Sequence, residues 1–227
     1  MLNILFAAET AKDLGAKKVI LAAPYLAFLR QDKMFNPGEA VTSKIMAKLL
    51  NHSIDKIITI DPHLHRYKSL NEIFSIPARR LTANGLIAEY IKSNFKHPVI
   101  IGPDKESCQW ARKIAEEIKA EYTVFEKTRL SSTEVKEKMI KKIIFKDKPA
   151  IIVDDMISTG NTIIEAAQKA KSYGAKSITA IAVHGLFVKG IAKLKKVGIS
   201  KVITTNTIEN KAGMIDVCGL LVEELEK

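Results

Sequence analysis

The densest chemistry in the chain lies in one run, Ile151 to Thr162: Ile-Ile-Val-Asp-Asp-Met-Ile-Ser-Thr-Gly-Asn-Thr. An apolar, β-branched stretch closes on two adjacent carboxylates, Asp154 and Asp155. It then passes through Ser158, Thr159, Gly160 and Asn161, and a helical pattern starts near Thr162. A helix start presents unpaired N–H groups and a positive dipole end. Small hydroxyl residues and glycine let that backbone come close to a phosphate. Carboxylates at a strand end suit sugar hydroxyls, directly or through Mg²⁺. An acidic cap on an ordinary strand-to-helix turn accounts for one Asp and one Ser or Thr, but not for the whole string. The run predicts a site for a phosphorylated sugar.

Such a loop needs a rigid strand before it and a helix after it, and the rest of the chain supplies that rhythm. Strands are expected at 18–23, 56–60, 98–102, 121–125, 149–153, 177–183 and 201–205, with helices at 3–14, 39–50, 84–94, 105–119, 162–173 and 187–196. This alternation predicts an α/β fold with mostly parallel sheets. Ala11–Lys17 and Ala170–Lys176 echo one another, each with a glycine (Gly15, Gly174) placed to end a helix in the left-handed conformation before a buried strand.

The chain has 227 residues, with 36 Lys and Arg against 25 Asp and Glu, for a net charge of +11. Hydrophobic residues make up 47% and charged residues 27%, which excludes intrinsic disorder. The positive charge is mostly lysine spread along the chain, not arginine and aromatics gathered in one patch, so nucleic acid is not an expected partner. A positive field also suits small phosphorylated anions. No apolar run approaches the ~20 residues that cross a bilayer, and the first residues lack the basic start of a secretory signal. A cytoplasmic protein without a membrane is expected. Cys108 and Cys218 stand far apart with no metal-type spacing and read as two core thiols.

With the string Asp154-Asp155-x-x-x-Thr159-Gly160-x-Thr162 in view, the chain resembles the type I phosphoribosyltransferases, and three further segments select their relatives, the ribose-phosphate pyrophosphokinases. Pro24-Tyr25 through Arg30-Gln31-Asp32-Lys33 looks like that family's PY-x-x-x-x-RQD segment. Thr59-Ile60-Asp61-Pro62-His63 looks like its metal-histidine segment, and Glu126-Lys127-Thr128-Arg129-Leu130-Ser131 like its catalytic loop. With Gly102-Pro103-Asp104-Lys105, the resemblance runs in order along nearly the whole chain. It implies transfer of pyrophosphate from ATP to C1 of ribose 5-phosphate, giving phosphoribosyl pyrophosphate and AMP, with Mg²⁺ as cofactor and ATP as co-substrate. Residue by residue, it assigns the catalytic cations to Lys127 and Arg129. Substrate binding falls to Asp154, Asp155, Ser158, Thr159, Gly160, Asn161 and Thr162. ATP contact falls to Arg30 and Gln31, and metal to His63 and Asp104. It implies two phosphoribosyltransferase-type halves, 1–80 with 213–227 (the ATP side, incomplete) and 81–212, and a homo-oligomer or a subunit of a partner synthetase.

The resemblance is not uniform. The first residues align inside the helix before the PY segment, so the family's opening stretch with its F-x-D-G/N-E motif has no equivalent among these residues. Gly160-Asn161 stands where Ala-Gly is frequent, Ser158 replaces a common acid, and Glu106 replaces a common glycine beside Asp104. These departures keep open a weak or inactive homologue that binds a phosphosugar, a nucleotide or a complete synthetase; a phosphoribosyltransferase is a further alternative, against which the segments at 24–40 and 126–131 argue.

Overall fold

The computed structural model describes every residue except 65, 130–134, 140–142 and 144, and describes the backbone alone for 126–129 and 135–138. The chain divides into two compact units, Met1–Thr82 with Cys218–Lys227, and Ala83–Val217.

In the first unit, helix α1 (Leu2–Asp13) leads to strand β1 (Ile20–Ala22), and α2 (Thr42–Ser53) leads to β2 (Lys56–Ile60) and β3 (Ala78–Leu81). The strands form a parallel sheet in the order β1-β2-β3, with Ile20 opposite Lys56 and Ile57 opposite Ala78. Asp55 fixes the first of these pairings twice: its carboxylate accepts the Val19 N–H at 2.7 Å and its own N–H donates to Val19 at 2.9 Å. Met46, Ala47 and Leu50 of α2 pack with Ile57, Leu26, Leu29 and Phe74. Burying each such large side chain contributes roughly 1.5–3 kcal/mol. The helix expected at 39–50 starts later because the Glu39 carboxylate is engaged in a turn, accepting the N–H groups of Phe35 and Asn36 at 3.1 Å each. Strand β3 is absent from the pattern-based reading because Ala-Arg-Arg-Leu has no apolar alternation. Its arginines are held instead by carboxylates, Arg79 by Glu224 at 3.1 Å and Arg80 by Asp61 at 3.9 Å.

The second unit carries α3 (Asn84–Asn94), β4 (Val99–Gly102), α4 (Cys108–Ile118), β5 (Glu121–Arg129), β6 (Val135–Met139), β7 (Pro149–Ile157), α5 (Asn161–Ser172), β8 (Ser177–Gly185), the short α6 (Ala192–Lys196), β9 (Lys201–Thr205) and β10 (Gly213–Ile215). Its seven-stranded sheet has the order β10-β9-β8-β7-β4-β5-β6, parallel except where β6 turns back on β5. Strand β7 lies near the centre. The buried face of α5 is Ile163, Ala166, Ala167 and Ala170, a helical stripe of mostly small side chains that lets the helix lie close to the sheet. Its end is closed by Tyr173, whose ring stacks on Phe125 and Phe145.

The echoed segments cap their helices alike. Gly15 (φ 96°) and Gly174 (φ 84°) are left-handed, and Ala16 donates to Ala11 at 2.9 Å as Ala175 does to Ala170 at 3.0 Å. Three expectations are corrected. Residues 213–215 were expected with the first half but form β10 on the edge of the second sheet, pairing with β9. The helix expected at 187–196 is confined to Ala192–Lys196, because Phe187 (φ 46°) and Gly190 (φ 72°) are left-handed. The thiols are not core residues: Cys108 is half-buried and Cys218 exposed, each at the first position of a helix.

Among the described residues, no helix is long and apolar enough to cross a membrane. The C-terminal helix α7 (Cys218–Leu225) is tied to the first unit through Glu224, which is 3% exposed and takes the Lys56 ammonium at 2.9 Å as well as Arg79. The hydrogen bond from Lys56, followed by that from Arg79, holds this carboxyl below the ordinary glutamate range. A carboxyl lowered in the folded state adds stability that is fully present above its unfolded value and is lost as the pH falls through the folded one. Glu224→Gln is therefore expected to lower the melting temperature at pH 7, and the gap to the wild type should close as the pH falls below about 4. A gap that stays constant across that range would show that the ion pairs add nothing.

Candidate functional site

The pairing of β4 with β7 assembles the site in the second unit. Val99 lies opposite Ala150 and Ile101 opposite Ile152, and the β4 pairing stops there. Strand β7 does not end at Val153 as expected. It continues to Ile157 on its β8 side, with Met156 opposite His184. Asp154 and Asp155 thus lie just past the point where β4 leaves the sheet, level with the loop that follows Gly102. That loop turns sharply at a close approach: a Cβ on Gly102 would lie 2.9 Å from Ser107 Oγ and 3.1 Å from Val124. Asp104 and Ser107 then cap one another, the Asp104 carboxylate accepting the Ser107 N–H at 3.0 Å and Ser107 Oγ accepting the Asp104 N–H at 3.1 Å. This reciprocal turn is why α4 begins at Cys108, three residues later than its pattern suggests.

The result is a crowd of negative charge. Asp155 is buried, and its N–H donates to Asp154 Oδ1 at 3.0 Å. Burial pushes the Asp154 carboxyl well above its ordinary value. The charges of Asp155, Asp104 and Glu106 push the same way, against the single hydrogen bond from Asp155. A cation or a set of sugar hydroxyls placed here would relieve that repulsion. Among the described residues, no three His, Cys, Asp or Glu side chains converge as a metal cage. Oxygen donors such as Asp104 and Asp154 nevertheless fit Mg²⁺, which takes one or two carboxylates, substrate phosphates and several waters.

Past the carboxylates the chain passes Ser158 and Thr159 and turns at Gly160, which is left-handed at φ 78°. The first bond within α5 runs from the Ile164 N–H to Gly160, so the N–H groups of Asn161, Thr162 and Ile163 have no partner inside the helix. The segment after β8 braces this turn, with Leu186 and Phe187 donating to Ile157 at 3.0 Å and Val188 to Ser158 at 3.1 Å. Lys193 of α6 places its ammonium 2.7 Å from Asn161 Oδ1. Sequence reasoning missed Lys193, since nothing in a lysine 32 residues downstream marks it. Five loop residues and both carboxylates of the expected substrate site are thus gathered at one edge of the sheet, with Asp104 beside them.

Lys127 and Arg129 lie on β5 beyond Val124, the last residue paired with β4, where the strand is paired only with β6: Lys127 stands opposite Glu137 and Arg129 opposite Val135. Their side chains, and Leu130 and Ser131 of the same motif, lie outside the described residues. In the first unit, Arg30 is exposed and Gln31 half-buried, the Gln31 carbonyl accepting the Ser43 N–H at 3.2 Å. The following Asp32 is buried and paired with Arg66 at 2.7 Å. That pair joins the loop after β1 to the loop after β2, which carries half-buried His63. Lys33 and Arg66 both face the exposed ring of Phe35, at 5.3 and 5.5 Å.

A parallel sheet that sets paired carboxylates and a glycine-turned helix start at its carboxyl edge is the arrangement of an α/β ligand-binding fold, and the family match makes it phosphoribosyltransferase-type. Residues 69–219 match the phosphoribosyl transferase domain, and residues 1–53 match the N-terminal domain of ribose phosphate pyrophosphokinase. The chain is 39% identical to the ribose-phosphate pyrophosphokinase of Methanothermobacter thermautotrophicus, over 100% of its own length and 78% of that protein's. It is 40% identical to the Saccharolobus solfataricus enzyme of the same name, over 92% and 72%. The crystal structure of phosphoribosylpyrophosphate synthetase from Mycobacterium smegmatis superposes with a TM-score of 0.85 at 25% identity, covering 99% of this chain and 76% of that one. The chain belongs to the ribose-phosphate pyrophosphokinase family.

Gly160→Ala tests the turn. A Cβ there would sit 2.8 Å from buried Leu194 in a left-handed backbone, at a cost of about 1–2 kcal/mol. Melting temperature should fall by roughly 2–4 °C per kcal/mol, measured by calorimetry. An unchanged transition would mean that the turn accepts a side chain.

Proposed function

We propose that this chain transfers the pyrophosphoryl group of ATP to the C1 hydroxyl of ribose 5-phosphate, giving phosphoribosyl pyrophosphate and AMP. The observation that carries this reading is the acidic cluster at the carboxyl ends of β4 and β7, adjoining the glycine turn into α5, in a chain that matches named pyrophosphokinases over its length.

In this reading the 5-phosphate takes the N–H groups at the start of α5 and the hydroxyls of Ser158, Thr159 and Thr162, with Gly160 and Asn161 shaping the turn. Asp154 and Asp155 hold the ribose hydroxyls. The C1 oxygen attacks the β-phosphorus of ATP, the bond from that phosphorus to the oxygen it shares with the α-phosphorus breaks, AMP leaves with that oxygen, and the C1 hydroxyl proton passes to solvent. Lys127 and Arg129 stabilise the negative charge that grows on the transferring oxygens. Arg30 and Gln31 bind ATP; a guanidinium suits a phosphate because it can donate two parallel hydrogen bonds. His63 and Asp104 are each a residue that would hold a Mg²⁺ ion, which would neutralise charge on the polyphosphate. The protein works in the cytoplasm, as a homo-oligomer or beside a partner synthetase subunit.

One observation favours a second reading, a homologue that binds but turns over slowly: Glu106 adds negative charge at Asp154. A single assay separates the two. AMP should form from ATP only with ribose 5-phosphate and Mg²⁺ present. Lys127→Ala should cut turnover by roughly 10²–10³-fold and leave ribose 5-phosphate affinity within about twofold. No AMP from folded protein would leave the binding homologue, and release of pyrophosphate only with an added nucleobase would indicate a phosphoribosyltransferase.

A further inference from the structure

The amino edge of the second unit's sheet holds another concave site, opposite in charge to the first. Strands β8, β7 and β4 are neighbours, with Pro149 opposite Ser177 and Val99 opposite Ala150. Their lead-in segments are therefore brought side by side, and each carries lysine: Lys96 before β4, Lys146 and Lys148 before β7, and Lys176 before β8. These four, with His97 and Asp147, line a cavity of about 570 Å³, within the usual range for small-molecule sites. Two backbone bridges hold the segments in place, from the Lys176 N–H to the Lys148 carbonyl at 3.0 Å and between Lys146 and Ala175.

The charge of this cavity is only partly compensated. Lys148 is paired with Glu121. Among the described residues Lys96, Lys146 and Lys176 form no ion pair, although Asp147 lines the same cavity. Lysines at this edge could simply offset the negative ends of helices. Here the helices already carry their own: Lys92 in the last turn of α3, and Lys169 and Lys171 in that of α5. The cavity lysines lie outside the helices. Two of the lining residues, His97 (φ 48°) and Asp147 (φ 61°), are also left-handed without being glycine, a strained state that gathers at ligand sites.

We infer that this cavity binds a small anion carrying two or more linked phosphoryl groups, at a site separate from the one that holds the ribose. The two lie about 17 Å apart along β7, at about 3.3 Å per residue from Pro149 to Asp154. The inference does not depend on the proposed reaction. Three cations against one carboxylate leave room for at least two negative charges. Neighbouring strands lie about 4.8 Å apart, so the three lead-ins span about 10 Å, and an anion with linked phosphoryl groups contacts more of them than a single phosphate does. Inorganic tripolyphosphate and the phosphate tail of a nucleotide share this chemistry.

The test uses tripolyphosphate, ADP and orthophosphate without magnesium, read by calorimetric titration and by hydrogen–deuterium exchange. Tripolyphosphate and ADP should both protect the segments 94–98, 146–149 and 174–177, and orthophosphate should bind at least ten times more weakly than tripolyphosphate. The triple variant Lys96→Gln, Lys146→Gln, Lys176→Gln alters only exposed side chains. It should weaken tripolyphosphate binding at least tenfold at this edge and leave ribose 5-phosphate binding unchanged. Protection confined to 158–162, protection by ADP but not by tripolyphosphate, or equal affinity in the folded triple variant would each overturn the inference.

Discussion

The parallel pairing of β4 with β7 is the constraint on which the site depends. Parallel strands must start at one edge of a sheet and finish at the other, with a helix returning the chain between them. Every loop that follows one of the parallel strands therefore emerges on one side. Because β4 stops at Gly102 while β7 continues to Ile157, the loop bearing Asp104 meets the carboxylates of β7 rather than another strand. The carboxylates repel one another, a repulsion that a cation or a polyol placed there would offset. Ile100, Ile101, Ile151 and Ile152, all fully buried, supply the hydrophobic energy that holds the charges together.

The same constraint orders the opposite edge. The register that gathers carboxylates at the strand ends also gathers lysines at the strand starts. The sheet thus presents fields of opposite sign at its two edges. The first unit ties its loops in another way. Its short sheet is continued by the ion pair of Asp32 with Arg66, which fixes the loop bearing Arg30 and Gln31 against the loop bearing His63. Asp32 is buried and its partner half-exposed, so solvent screens their attraction less than that of a surface pair, and breaking it would leave a buried charge unpaired.

The loop from Asp154 to Thr162 was legible because its chemistry is local: strand, carboxylates, hydroxyls, glycine and helix start follow one another directly. The paired glycine caps at Gly15 and Gly174 were legible for the same reason. Strand β3 was not, since Arg79 and Arg80 are satisfied by Glu224 and Asp61, which lie far off in sequence. The strand nature of Glu126–Arg129 depends on β6, and the brace on the turn into α5 depends on Lys193 and on backbone donors after β8. Periodicity extended α6 across Phe187–Ile191, but Phe187 and Val188 donate to the turn after β7, and Phe187 and Gly190 are left-handed, which breaks the helix there. Sequence reading succeeded where neighbours in the chain decide the structure and failed where distant partners do.

The central claim is that Asp154 and Asp155, held at the edge where β4 departs, bind the ribose. Calorimetric titration of ribose 5-phosphate in the presence of Mg²⁺ tests it most directly, comparing the wild type with Asp154→Asn/Asp155→Asn. Both changes keep side-chain shape, remove the charge and replace one acceptor oxygen by a donor. The account predicts at least a tenfold loss of affinity, which is about 1.4 kcal/mol, in a variant that remains folded. Equal affinity in the two proteins would contradict it and place the sugar elsewhere.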